Sequence, residues 1–227
     1  MELLHRLISC YDALHDETGR VRCVEELMTL ARAEGDEAME SIALFNLGKS
    51  LYYQGDAARA YDYMEQGARM MEASAYSLKY DNLRYEYKTL AMFYERDGRY
   101  DDVLRILDAW EQVVAGSTGE ETRIDGLADG ELRDLCAQRT VALSRAGRGE
   151  EAAESYRRFL ALGDDPGRNS YLIMPYLFDT GRYDEIFRIC LPRERRMAES
   201  GDTVNYHMAS VLKFLGYASR DVGDYRT

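Results

Sequence analysis

Along most of the chain, apolar residues recur three and four positions apart, which places them on one face of a helix. In the stretch 42–53, IALFNLGKSLYY, the residues Leu44, Leu47, Gly48 and Leu51 share such a face. Gln54-Gly55-Asp56 interrupts the pattern, and from Ala57 it resumes through Ala60, Met64, Gly67 and Met71. A glycine fits the left-handed position that ends a helix at low steric cost. Asp56 stands where it can cap the helix that follows. The pattern predicts a helical hairpin with its corner at Gly55.

The device is written several times. Residues 98–107 read GRYDDVLRIL, and residues 181–190 read GRYDEIFRIC. Aligned on the glycine, six segments fall in register, turning at Gly19, Gly55, Gly98, Gly147, Gly181 and Gly223. Their separations are 36, 43, 49, 34 and 42 residues. Periods of this length mark arrays of stacked supersecondary units. Val103 and Ile186 take a contact position in the second helix, and Tyr100 and Tyr183 open it. The polar, glycine-bearing stretch 115–131, AGSTGEETRIDGLADGE, predicts a loop that accounts for the longest interval. Pro175 falls inside a first helix and predicts a kink there.

These units resemble tetratricopeptide repeats, whose pattern is W-x2-L-G-x2-Y, then Ala, then Phe. The second unit matches best, with Leu44, Leu47, Gly48, Leu51, Gly55, Ala60 and Met64. The third gives Tyr87, Leu90, Ala91, Tyr94, Gly98, Val103 and Leu107, and the fourth Cys136, Arg139, Thr140, Leu143, Gly147, Ala152 and Tyr156. The fifth gives Ser170, Ile173, Met174, Leu177, Gly181, Ile186 and Cys190. The sixth gives Leu212, Leu215, Gly216, Ser219 and Gly223, and then stops. The first, with Ile8, Tyr11, Asp12, His15, Gly19, Val24 and Met28, is the most degenerate. Gly48, Ala91 and Gly216, facing Ala60 and Ala152, are the small positions that let paired helices approach. A period above 34 resembles the long-repeat branch, which includes sensory regions of bacterial signalling proteins. The usual unit-end proline is present only as Pro166.

The resemblance implies one all-α domain over 1–227, a right-handed superhelical solenoid of about six helix-turn-helix units. It implies a non-catalytic scaffold that binds a protein or peptide along a concave groove lined by first helices. The groove positions are Asn46, Lys49, Tyr53, Tyr85, Lys88, Met92, Arg96, Arg145, Tyr171 and Lys213. Their cations suit a carboxylate or an acidic peptide. It implies a regulatory region with an output domain, such as a GGDEF diguanylate cyclase, beyond Thr227, because the sixth unit lacks its second helix. The alternative is a self-association module that forms a homodimer and controls that output domain.

Charge and chemistry narrow this picture. The net charge of −12 disfavours phosphate-led nucleic-acid binding, since Arg193-Glu194-Arg195-Arg196 is the best basic cluster. Cys10, Cys23, Cys136 and Cys190 lack metal-ligand spacing and read as reduced thiols filling core gaps. His5, His15 and His207 lie in different units, and Gly48-Lys49-Ser50 lacks the upstream part of a phosphate loop. No cofactor or metal is expected. The N-terminal stretch MELLHRLISCYDAL has early charges and no cleavage site, and no apolar run approaches the ~18 residues of a membrane helix. A cytoplasmic protein without membrane contact is the expectation.

Overall fold

The computed structural model describes residues 1–77, 79–116, 127–163, 170–200 and 206–223. The described residues are helical, without a strand. They form α1 (Glu2–Ala13), α2 (Glu17–Glu34), α3 (Glu37–Tyr53), α4 (Ala57–Ala73), α5 (Lys79–Arg96) and α6 (Tyr100–Gly116). There follow α7 (Leu127–Arg145), α8 (Gly149–Ala161), a 3-10 turn (Ser170–Leu172), α9 (Met174–Asp179), α10 (Tyr183–Ser200) and α11 (Tyr206–Asp221). Helices next to each other in sequence pack together, α1 on α2, α3 on α4 and α7 on α8. The chain forms two compact units, Met1–Asp102 and Val103–Thr227.

One turn geometry recurs at the corners. A residue with positive φ ends the helix, and the next amide bonds back to the carbonyl five positions earlier. Asp56 N donates to Leu51 O at 2.9 Å, Arg99 N to Tyr94 O at 2.8 Å, Arg148 N to Leu143 O at 2.9 Å and Arg182 N to Leu177 O at 2.8 Å. These are Schellman turns, which satisfy carbonyls that a helix end leaves open. Gly55, Gly98, Gly147 and Gly181 supply the positive φ, as the sequence pattern predicts.

The first corner differs from expectation. Gly19 lies inside α2, and the turn is made by His15 at φ 55°. His15 takes the left-handed region that histidine enters more readily than most side chains, and Asp16 N then reaches Tyr11 O at 3.0 Å. Gly19 is small because Tyr11 packs on it; an added Cβ would lie 2.5 Å from the ring. Gly35, at φ 70°, makes the same turn between α2 and α3. His15-Asp16, Gly35-Asp36 and Gly55-Asp56 thus form a series, and each aspartate caps the helix it opens. Asp16 accepts from Gly19 N at 2.9 Å, Asp36 from Met39 N at 3.1 Å and Asp56 from Arg59 N at 3.3 Å.

The small positions divide. At Gly48 an added Cβ would meet Met64 Cγ at 2.6 Å and the Ala60 carbonyl at 2.7 Å, so α3 and α4 touch there as expected. Gly67 makes the matching approach from α4, where an added Cβ would lie 2.8 Å from the Ser41 carbonyl. A Cβ added at Gly216 would meet nothing within 4 Å among the described residues, so the close approach expected there is not made among them. The loop expected over 115–131 is shorter, since α6 runs to Gly116 and α7 starts at Leu127; the rest of it lies outside the described residues, as does Pro166. Pro175 does not kink a helix. It stands in the first turn of α9, where its missing N–H is not needed. The proline inside a helix is Pro192 in α10.

The repeated GRYD(D/E) segment adds a second contact. In the first unit the Arg99 guanidinium lies 4.6 Å from the Tyr94 ring and 4.7 Å from the Tyr61 ring. Those two rings stack at 4.1 Å. Arg99 Nε donates to Asp102 at 2.8 Å. In the second unit Arg182 lies 5.0 Å from Tyr156 and 5.6 Å from Tyr176 and donates to Glu185 at 3.2 Å. Each arginine thus covers one tyrosine from the helix before its own turn and one from the preceding hairpin. Tyr94 and Tyr156 donate their hydroxyls to Glu65 and Glu185. Such cation–π contacts contribute about 0.5–1 kcal/mol each near a surface.

Replacing Gly48 by Ala should lower stability by about 1–3 kcal/mol through overpacking, although alanine is the better helix former. Gly55→Ala, with φ 88° and open space around it, should cost about 1–2 kcal/mol through backbone strain alone. Urea unfolding midpoints of the two variants check both values.

Candidate functional site

Helix α3 is enclosed on nearly all sides from Ala38 to Ser50. A helix in that position must take its polar side chains inside, and each then needs a partner. Ser41 donates to the Gly67 carbonyl at 2.8 Å, and Asn46 donates to the Ile42 carbonyl at 2.9 Å. The buried Arg20 of α2 donates to the Asn46 carbonyl at 3.0 Å, to Ser50 Oγ at 2.7 Å and to Glu17. Lys49, only 4% exposed, donates to both Asp12 oxygens at 3.1 Å and to the Tyr85 hydroxyl. Asn46 and Lys49 are therefore not open groove contacts. They tie α1, α2, α3 and α5 together.

The other first-unit candidates do share a face. On α5, Tyr85, Lys88, Met92 and Arg96 recur at three- and four-residue steps. Tyr85 is 46% and Met92 53% exposed, and Tyr53 at the end of α3 is 56% exposed. The opposite side of α5, through Leu83, Tyr87, Leu90 and Tyr94, is buried. Tyr53 is held edge-on to Phe93 at 5.7 Å, and Phe93 stacks on Tyr52 at 4.0 Å. Arg96 lies 5.8 Å over the Tyr52 ring. An open cavity of about 450 Å³ runs along this face, lined by Asp81, Arg84, Tyr85, Lys88, Thr89 and Met92. Lys88 lines it and Arg96 follows one turn after Met92 on the same stripe, so the face carries cations although the chain as a whole is acidic.

The remaining candidates belong to the second unit. Arg145 pairs with Asp179 at 3.5 Å. Tyr171 is half-buried. Lys213 is exposed on α11 and lies 5.6 Å over Phe214 and 5.7 Å over Tyr217.

Sequence reasoning passed over Glu86. It is 2% exposed, and its Oε2 has no hydrogen-bond partner among the described residues. Burial, with Glu72 adding repulsion, pushes its carboxyl up to about 8. The signal was present in the pattern: an acid beside Tyr87, one turn from Leu83 and Leu90 on the apolar face of α5. Cys23, Cys136 and Cys190 are buried free thiols, as expected, whereas Cys10 is exposed. Among the described residues no group of three or more His, Cys, Asp or Glu could hold a metal, and no helix is long and apolar enough to cross a membrane. No protein-family model matches the chain, and no curated protein matches it significantly in sequence.

In the unfolded chain a glutamate loses its proton near pH 4.3. The folded protein keeps the Glu86 proton up to about pH 8. The unfolded state therefore binds fewer protons between those values, and stability falls as the pH rises through that window. Glu86→Gln should remove this loss. Relative to the variant, the wild type should weaken by up to ~1.4 kcal/mol per pH unit between pH 5 and 8, measured by urea unfolding at each pH.

Proposed function

We propose that this protein is a non-catalytic tetratricopeptide-like scaffold that binds a peptide carrying acidic and apolar residues. The observation that supports this most is the α5 face, where exposed Tyr85 and Met92 alternate with Lys88 and Arg96, next to exposed Tyr53. Large apolar side chains left in water on an otherwise buried helix fit a partner's apolar anchors. The cations at the edge fit carboxylates and would steer an acidic peptide onto the face. Sequential hairpins with recurring corners support the repeat-family reading, and with it a right-handed solenoid. The same resemblance supports a regulatory role in a bacterial signalling protein, with the peptide as the sensed ligand.

Fluorescence anisotropy with labelled acidic–apolar peptides tests the reading, with basic and scrambled peptides as controls. Lys88→Glu with Arg96→Glu should weaken binding about tenfold or more, and raising salt from 0.1 to 0.5 M should weaken the wild type too. Binding that ignores both the charge reversal and the peptide sequence would remove α5 as the site. Loss of binding accompanied by a change from dimer to monomer in light scattering would instead assign the face to a second copy of the chain.

A further inference from the structure

We infer that the cavity between α1, α3 and α5 binds the ammonium group of a small organic cation, with Glu86 as its counter-ion. The cavity measures about 150 Å³, and its polar lining includes His5, Ser9, Asp12, Asn46, Tyr85 and Glu86. That is about the volume that accepts a molecule the size of benzene.

The polar groups around it are unequally engaged. Asp12 is neutralised by Lys49, 3.1 Å from both its oxygens, with Arg20 Nε at 3.8 Å. Glu86 has no such cation. Its Oε2 is buried without a hydrogen bond among the described residues, which is costly unless something enters to satisfy it. Asn46 uses its amide N–H on the Ile42 carbonyl, so its side-chain oxygen remains an acceptor. Ser9 adds a hydroxyl oxygen on the exposed edge of α1. Burial pushes the His5 imidazole down, so it is neutral at pH 7.

An acceptor-rich cavity of this kind matches an ammonium, which carries three N–H donors. The Phe45 and Tyr85 rings, edge to face at 6.0 Å, add an aromatic wall suited to the cation and its short hydrocarbon part. A carboxylate ligand would instead face Glu86 and, beyond it, Glu72.

The carboxyl of Glu86, raised to about 8, makes the binding step countable. At pH 7 an ammonium meets a protonated Glu86. It forms the ion pair and releases that proton to solvent, so close to one proton leaves per cation bound. His5 and Asp12 on α1 and Tyr85 on α5 line the cavity beside Glu86, with Lys49 on α3 bonded to Asp12 and Tyr85 and Glu72 on α4 acting on Glu86. The Lys49–Asp12 pair is already formed and His5 is already neutral, so the released proton belongs to Glu86.

The test is isothermal titration calorimetry of the full chain with n-butylammonium, and with 1-pentanol and butyrate as controls of similar size. Saturable binding of butylammonium, at least tenfold tighter than pentanol and with close to one proton released at pH 7 across buffers of different ionisation enthalpy, is the expected result. Glu86→Gln should weaken it about tenfold or more, and Ser9→Met, which fills the cavity from its edge, should abolish it. Lys88→Glu with Arg96→Glu should leave it unchanged, which separates this site from the peptide face. Absence of saturable binding to the wild type, equal binding of pentanol, or binding without proton release would overturn the inference, whether or not the Gln variant folds.

Discussion

The helical hairpins depend on one backbone arrangement, the bond from the amide after a left-handed residue to the carbonyl five positions before it. That bond closes the end of one helix and aims the chain so that the next begins at once. Because the turn is so short, the two helices must lie side by side, and their apolar stripes must face each other. Gly48 against Met64 and Gly67 against Ser41 then set how near they come. Shifting one left-handed residue would turn the following helix and move its buried stripe out of register.

The residue after the left-handed position decides what else the corner does. In the first unit it is aspartate at 16, 36 and 56, and its carboxylate caps the following helix. At 99 and 182 it is arginine, and its guanidinium covers two tyrosines while an acid three residues on fixes it. The duplicated ten letters are therefore a packing device. The turn joins two helices, and the arginine fastens the tyrosine of the preceding hairpin to the new one. Tyr61, Tyr94, Tyr156 and Tyr176 serve this purpose, and the first three give their hydroxyls to Asp97, Glu65 and Glu185.

Enclosure of α3 has consequences for the candidate site. A first helix with neighbours on every side cannot present Asn46 and Lys49 along an open groove; Lys49 binds α1 and α5, and the Asn46 carbonyl takes Arg20 of α2. Helix α5 has the same place in its hairpin but keeps one face in water, and there the apolar and cationic residues stay exposed. The same crowding that uses up Lys49 and Asp12 leaves Glu86 without a partner, and so concentrates unsatisfied polarity in one small cavity.

The sequence by itself determined the helices, four of the corners and the close contact at Gly48, because each is local. Periodicity sets a helix face, and a glycine with its flanking residues sets a turn. It misplaced the first corner because a histidine can take a left-handed φ when the surrounding helices fix it, and no pattern marks that. It put Asn46 and Lys49 in a groove because a family register gives position along a helix but not how many neighbours the helix will have. The α5 face at Tyr85, Lys88, Met92 and Arg96 was legible, since it is a helical stripe. Only the tertiary structure decided that Lys49 is claimed by Asp12 and Tyr85 and that Glu86 is claimed by nothing described. The Lys49–Asp12 pair joins residues 37 positions apart, a distance over which sequence spacing carries no geometry.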